Sequence, residues 1–187
     1  DHALDTLNTR FDGLVAMNVV SANGWAFVVA GGADDGMSLF ALPPSGRLIH
    51  LETVVHDTGV GLENVTAMEA IVVGDEIQSF ASSGTSQGGS QFSVDLAQLG
   101  DVVTGTGVLS GTVGDDLLVA GEGTTTFIGG SGADIFVIGN FNQTLRILDF
   151  SAGEDSVDLT AFPLLYDPAR LTVTEMSNGI SLRFGVT

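Results

Sequence analysis

Short apolar segments alternate with clusters of Gly, Asp, Asn and Ser along most of this 187-residue chain. Such a pattern predicts strands of about four to eight residues separated by turns. The best candidate for a helix is residues 61–77, but the second half of that segment is rich in β-branched residues and fits a strand equally well. The sequence therefore predicts an all-β fold.

Residues 1–101 contain an internal repeat. Residues 15–42 align with residues 66–94 once one residue is inserted in the second copy. Phe40 then falls on Phe92, a shift of 92 − 40 = 52 along the chain. Each copy predicts a strand, a turn, a second strand, a glycine-rich turn and a third strand.

The first copy includes the stretch FVVAGGADDGMSLFALPPSGRL, residues 27–48. This stretch resembles β-propeller repeats of secreted bacterial proteins, which implies that residues 1–101 form two antiparallel units like propeller blades. Propellers close with about four to eight blades. Two units would therefore need the rest of a longer chain, or another subunit, to cover their strand edges. A small β-sandwich of two similar units is the alternative.

A different repeat lies in residues 102–187. Three consecutive nonapeptides read GTVGDDLLV, AGEGTTTFI and GGSGADIFV, and together they span residues 111–137. The third matches every position of the calcium-binding pattern G-G-x-G-x-D-x-U-x, in which U is a large apolar residue. In the second, Thr125 replaces the acid. The repeats resemble the repeats-in-toxin (RTX) family of secreted bacterial proteins, which implies a short parallel β-roll.

In such a roll six residues form a turn and three form a strand, so two nonapeptides complete one coil. Leu118, Phe127 and Phe136 are then expected to point inward and stack. Asp134 follows Asp116 by 134 − 116 = 18 positions, which places the two acids on one edge of adjacent coils. Ca²⁺ takes six to eight oxygen ligands, and the facing turns can supply carbonyl and carboxylate oxygens.

The sequence therefore predicts one calcium ion between the turns at 111–116 and 129–134, and an opposite edge, at Thr125, that is mostly empty. The candidate ligands are Gly111, Val113, Gly114, Asp116, Gly129, Ser131, Gly132 and Asp134.

Residues 145–162 resemble the segment that closes many such rolls, D-F-x-x-G-x-D-x-I-D-L. The resemblance implies a second ion, held by Asp149 and Asp155 together with the turn at 129–134. Asp158 is a weaker candidate, because a polar residue flanking a strand explains it equally well. Residues 171–184 alternate in hydrophobicity around a central SNG and predict a capping β-hairpin.

The charge excludes several kinds of partner. Asp and Glu total 23 against 5 basic residues, a net charge of −18, so nucleic acid and anionic membrane surfaces are not expected to bind. No apolar run is long enough to span a bilayer. The chain has no Cys, which excludes disulfides, thiolate metal sites and Cys nucleophiles.

No catalytic constellation is evident. Residues 84–88, GTSQG, match the G-x-S-x-G pattern, but a strand follows them, and a nucleophile elbow requires a helix there. His50, Glu52 and His56 do not have the H-E-x-x-H spacing of a zinc site. Whether the whole protein is an enzyme is left open.

The RTX resemblance implies a secreted bacterial calcium-binding module, exported by type I secretion, whose roll folds on Ca²⁺ binding outside the cell. One or two ions are expected. Two alternatives stay open. The chain could be the non-catalytic C-terminal part of a secreted RTX enzyme (a protease, a lipase or a lactonase-like propeller) with its active site elsewhere. It could also be a surface, matrix-assembly or adhesion subunit.

Overall fold

A computed structural model describes residues 5–6, 8–139, 145–162, 171–176 and 179–184. The chain divides into two compact units, Asp1–Ala97 and Gln98–Thr187. Within the described residues every regular element is a β-strand, including the segment that was the best candidate for a helix. The all-β prediction is confirmed.

The first unit contains two antiparallel sheets whose strands are ordered as they follow along the chain. The four-stranded sheet consists of β1 (Ala16–Ala22), β2 (Trp25–Gly31), β3 (Gly36–Ala41) and β4 (Ile49–Val55). The three-stranded sheet consists of β5 (Val65–Val73), β6 (Glu76–Ser83) and β7 (Gly89–Asp95).

The strand registers of the two sheets repeat with the offsets of the aligned sequence. Met17 of β1 pairs with Ala30 of β2, and Met68 of β5 pairs with Ala81 of β6. Both partners are shifted equally, since 68 − 17 = 81 − 30 = 51. In the third strands Ser38 of β3 corresponds to Ser90 of β7, and 90 − 38 = 52, because the inserted residue lies before them.

The second unit is a parallel β-solenoid of about three turns. Its parallel strands are β8 (Leu99–Ser110), β9 (Asp115–Ile128), β10 (Ile135–Val137), β11 (Leu145–Ile147) and β12 (Ser156–Asp158). An antiparallel hairpin of β13 (Leu171–Met176) and β14 (Gly179–Phe184) follows, and β14 pairs with β11. This agrees with the predicted hairpin, whose turn at 177–178 lies outside the described residues.

Apolar side chains of successive coils stack inside the solenoid. Phe136 of β10 pairs with Leu118 of β9, and this is the predicted step between coils, since 136 − 118 = 18. Leu118, Phe127 and Phe136 are all completely buried, and the rings of Phe127 and Phe136 meet edge to face at 5.4 Å. This stacking is the one that the nonapeptide pattern predicts.

The opposite side of the coil differs from the expected turn. Residues 120–125 lie inside the continuous strand β9, which stays paired with β8 across a bulge between Gly105 and Gly107. Gly107 and Gly123 have φ of +82° and +132°, and the pairing passes from Gly105–Ala120 to Gly107–Thr125, so the backbone bends where residues 121–124 have no partner in β8. A bent strand therefore replaces a separate turn on this side.

Shortening Ile147 to Val should destabilise the solenoid modestly. Ile147 is 3% exposed and packs in the core of the stacked coils. Loss of one buried methyl group from such a core costs about 0.5–1.5 kcal/mol. Urea denaturation followed by circular dichroism should show this loss, and an unchanged midpoint would contradict the packing described for β11.

Candidate metal-binding edge

The turns at 111–116 and 129–134 lie against each other on one edge of the solenoid. The backbone N–H of Ser131 donates to the carbonyl oxygen of Thr112 over 3.3 Å. Gly132 has a φ of +118°, and a Cβ atom on it would lie 2.5 Å from the carbonyl oxygen of Gly114. Glycine is therefore required at this close approach of the two turns.

Aspartates connect the coils along this edge. The N–H of Asp116 donates to Oδ1 of Asp134 over 2.9 Å, and the N–H of Asp134 donates to Oδ1 of Asp155 over 3.0 Å. In the same way, Oδ1 of Asp116 accepts from the N–H of Asp101 over 2.5 Å. Each carboxylate thus accepts a hydrogen bond from the backbone of the coil before it. We call this series the aspartate ladder.

Two of the ladder carboxylates also close their own turns. Oδ2 of Asp116 accepts from the N–H of Thr112 over 2.6 Å. Oδ2 of Asp155 accepts in the same way from the N–H of Ser151 over 2.7 Å. In both cases the donor lies one short turn before the acceptor in the sequence. Both oxygens of these two side chains therefore stabilise the backbone of the turns.

Asp134 differs from the other two. The N–H of Gly130, at the corresponding position of its turn, donates instead to Oδ2 of Asp149 over 2.9 Å, and the N–H of Gly129 donates to Oδ1 of Asp149, also over 2.9 Å. No hydrogen bond to Oδ2 of Asp134 is formed within the described part of the chain.

The surroundings of Asp134 disfavour a bare negative charge. Its side chain is 1% exposed. The pKa of Asp134 is raised to about 6, chiefly by burial. The carboxylates of Asp155, Asp116 and Asp149 also raise this pKa, and the hydrogen bond from the Asp116 N–H lowers it. A cation or a proton beside Asp134 would relieve this cost.

The oxygen donors at this edge suit a hard cation, with one restriction. In the residues that the structure describes, no three His, Asp or Glu side chains come together closely enough to hold a metal ion. An ion here would therefore depend on backbone carbonyl oxygens of the facing turns as well as on carboxylates. Ca²⁺ accepts both kinds of ligand.

The remaining predicted ligands lie in these turns. Gly111 approaches the carbonyl oxygen of Gly129, and a Cβ on either residue would overlap a ladder carboxylate. Val113 is 85% exposed at the tip of its turn, so only its backbone could reach an ion between the coils. Whether these residues bind calcium remains a prediction.

Three residues of the edge were not foreseen. Asp101 precedes Asp116 by 116 − 101 = 15 positions, fewer than the repeat predicts, because the coil before it is shorter. Oδ1 of Asp115 accepts from the N–H of Ala133 over 2.7 Å, and the hydroxyl of Thr112 lies 3.2 Å from Oδ1 of Asp116. In the sequence, the contact of Asp115 with Ala133 was indicated by the position of Asp115 directly before the predicted ligand Asp116.

On the opposite side, Thr125 is completely buried, and its hydroxyl lies 3.5 Å from the carbonyl oxygen of Gly123. Residues 102–107, which flank it on one side, belong to β8. The flank on the other side, residues 138–143, lies mostly outside the described residues.

The motifs set aside in the first unit have structural partners. His50 Nε2 lies 2.7 Å from the hydroxyl of Thr53, and His56 Nδ1 accepts from the N–H of Leu62 over 3.2 Å. Ser86 lies in the loop between two antiparallel strands, as its sequence context predicts.

Comparison of the chain with protein families, with curated proteins and with solved structures found no match. What the geometry defines is therefore a class of fold, a β-solenoid that follows antiparallel sheets. Among the described residues, no helix is long and apolar enough to cross a membrane.

Proposed function

We propose that residues 98–187 form a calcium-binding β-roll of the RTX type, which calcium stabilises outside a bacterial cell. The observation that carries this proposal is the carboxylate of Asp134. It is buried between stacked turns, close to other carboxylates, and one of its oxygens accepts no hydrogen bond from the described residues. This environment favours a bound cation over an isolated negative charge.

One ion is assigned to the turns at 111–116 and 129–134, where carbonyl oxygens of both turns can complete its coordination. A second ion is assigned to the turn at 129–134 with Asp149 and Asp155. Asp149 already contacts the backbone of this turn at Gly129, and Asp155 contacts it at Asp134. One or two ions are therefore the expected stoichiometry.

The biological role follows from where calcium is abundant. Calcium is scarce in the cytosol, so the acidic roll would be only marginally stable there, and export by type I secretion would precede its stabilisation by calcium. At a tenfold excess of calcium over the dissociation constant, each site adds about 1.4 kcal/mol to the free energy of unfolding. Two sites would supply a large part of the stability of a marginally stable unit.

A second candidate function concerns residues 1–97. Their two similar sheets support the interpretation as propeller-like blades. The calcium module would then be the C-terminal part of a secreted RTX enzyme with its active site elsewhere, or a surface or matrix-assembly subunit. A catalytic motif in a longer form of the protein would favour the enzyme.

The test is a calcium titration of the whole chain, followed by circular dichroism and calorimetry. We expect calcium, but not magnesium, to raise the melting temperature of the second unit. A gain of about 1.4 kcal/mol corresponds to roughly 5–10 °C for a unit of this size. Asp134→Asn should lose most of this increase, because Asn keeps an acceptor for the Asp116 N–H but removes the charge.

Two variants serve as controls. Asp75→Asn removes the same charge from an exposed position in the first unit. Thr125→Val changes the opposite edge of the roll with little change in volume. Both should respond to calcium like the wild type. If calcium stabilises wild type and Asp134→Asn equally, or changes neither, the proposed site is wrong.

A further inference from the structure

The two sheets of the first unit pack against each other through unlike faces. The first sheet contributes the face that carries Val29, which is 1% exposed. The second sheet contributes the face that carries Met68, which is 9% exposed. The junction lies at Gly31, which is on the same face as Val29. A Cβ on Gly31 would be 3.4 Å from the side chain of Val65 and 3.5 Å from that of Met68.

The internal repeat gives each of these faces a counterpart. The repeat shift carries Val29 to Phe80, which is 47% exposed, since 29 + 51 = 80. The reverse shift carries Met68 to Met17, which is 59% exposed, since 68 − 51 = 17. Each sheet therefore has one face in the internal interface. The face of the other sheet that corresponds to it in the repeat lies outside this interface and exposes apolar side chains.

The two exposed surfaces can be defined by their residues. The outer face of the second sheet includes Ile71 and Phe80, and a shallow groove of about 540 Å³ lies beside Phe80. The exposed part of β1 includes Met17 and Val19, which are 59% and 54% exposed. Exposed apolar side chains that cluster on one sheet face are typical of interaction surfaces.

Polar groups at the internal junction also favour a repeat of the same contact. The side-chain amide of Asn18 donates to Oε1 of Glu69 over 2.9 Å. These two residues are themselves repeat equivalents, since 18 + 51 = 69. In a continued stack, Glu69 of one chain would meet Asn18 of the next, and its Oε2 could accept from that amide. The new junction would again pair an amide with a carboxylate.

We propose that a second copy of this chain places its β1, at Met17 and Val19, against the outer face of the second sheet, at Ile71 and Phe80. The contact would continue the interface that already joins the two sheets. On the face of the first sheet that carries Met17 and Val19, the part formed by β2 and β3 is already covered by Phe11, Leu42 and Leu48. The contact is therefore confined to β1 and its neighbouring strands.

This contact is head to tail, because different surfaces of the two copies meet. Such contacts close into a ring when the rotation between copies allows it. With two blade-like sheets per chain, a ring of about four to eight blades corresponds to about two to four chains. The contact does not involve the solenoid edge, so it should not depend on calcium.

The test measures the molar mass of the whole chain by sedimentation velocity and light scattering. It is run at about 0.3 M NaCl, where the repulsion between acidic copies is largely screened. At about 100 μM protein, an interface with a dissociation constant of about 10 μM would be mostly assembled. We expect oligomers of the wild type, both with calcium and with a chelator.

Two variants block one surface each. Ile71→Glu should prevent assembly through the outer face, and Met17→Glu should prevent it through β1. Val108→Glu places the same charge at a 66% exposed position in the solenoid and should assemble like the wild type. An equal mixture of Ile71→Glu and Met17→Glu retains one intact pair of surfaces and should give a dimer and nothing larger.

A wild type that is monomeric at this concentration would overturn the proposal. So would oligomers that persist in Met17→Glu or Ile71→Glu, because assembly would then use another surface. Oligomers that form only with calcium would place the contact at the solenoid edge and would also overturn it. None of these results bears on whether calcium stabilises the monomer, so the two proposals can fail separately.

Discussion

The Gly130→Ala variant is expected to lose the folded solenoid. Gly130 has a φ of +104°, and a Cβ at this position would overlap the carbonyl oxygen of Thr112 in the adjacent coil. The backbone strain alone costs about 1–3 kcal/mol. The overlap involves backbone on both sides and cannot be relieved by rotating a side chain, so the coils must separate.

A total loss above about 4 kcal/mol is therefore expected, which is large compared with the stability of a typical domain. Far-ultraviolet circular dichroism and urea denaturation should show that the second unit is unfolded or nearly so. The transition of the first unit should be retained, since the substitution lies outside it.

Gly153→Ala is the matched control for backbone strain. Gly153 has a similar φ of +95°, but no atom lies within 4 Å of the position that a Cβ would occupy. This variant should lose only the strain energy of about 1–3 kcal/mol and remain folded. If the two variants lose equal stability, the close approach of the turns contributes nothing, and the stacking described for this edge is wrong.

The sequence predicted the part of the solenoid in which the spacing between equivalent residues of adjacent coils is constant. The step from Asp116 to Asp134 equals the step from Leu118 to Phe136, because turn and strand have the same lengths in both coils. A regular repeat fixes which side chains point inward and which turns share an edge, since each coil must stay in register with its neighbour. This part of the fold is therefore readable from a single sequence.

The flanking coils could not be predicted in the same way. Val103 pairs with Leu118, so the coil between them is shorter than the repeat, since 118 − 103 = 15. Phe136 pairs with Val157, so the coil between them is longer than the repeat, since 157 − 136 = 21. Parallel pairing fixes the register of the strands but leaves the length of the turn between them free. For this reason the contact of Asp101 with Asp116 has no counterpart in the nonapeptide spacing.

The distribution of hydrogen bonds among the aspartates was also beyond the sequence pattern. Asp116 and Asp134 occupy the same position in their nonapeptides, yet only Asp134 keeps an oxygen without a hydrogen bond among the described residues. The difference arises because Asp149, which lies outside the repeats, takes the N–H of Gly130. A single sequence predicts equivalent aspartates, and the closing segment makes them unequal.

Without calcium, the stability of the solenoid should fall as the pH rises from about 4 to about 6. Burial and the neighbouring carboxylates raise the pKa of Asp134 from 3.8 to about 6, so over this range the folded state binds a proton that the unfolded state has lost. The free energy of unfolding then decreases with rising pH. Since one pKa unit corresponds to about 1.4 kcal/mol, the loss attributable to Asp134 is at most about 3 kcal/mol.

Urea denaturation at several pH values, in calcium-free buffer, measures this loss as the difference between wild type and Asp134→Asn. The variant has no titrating group at this position and shares the titration of the other acidic residues, so the subtraction isolates Asp134. The difference should change between about pH 4 and pH 6 and stay constant above that range. A difference that does not depend on pH would mean that Asp134 is ionised in the fold without cost.

Calcium should reverse this behaviour, because the ion binds the ionised carboxylate and competes with the proton. The stability that calcium adds to the wild type, measured as the difference between samples with and without calcium, should therefore increase as the pH rises through about 6, and Asp134→Asn should not show this increase. Asp134 would then oppose folding at neutral pH without calcium and favour it with calcium. A single buried carboxylate with one oxygen free of hydrogen bonds from the described residues is sufficient for this change of sign, since the other ladder aspartates already stabilise the backbone of the turns.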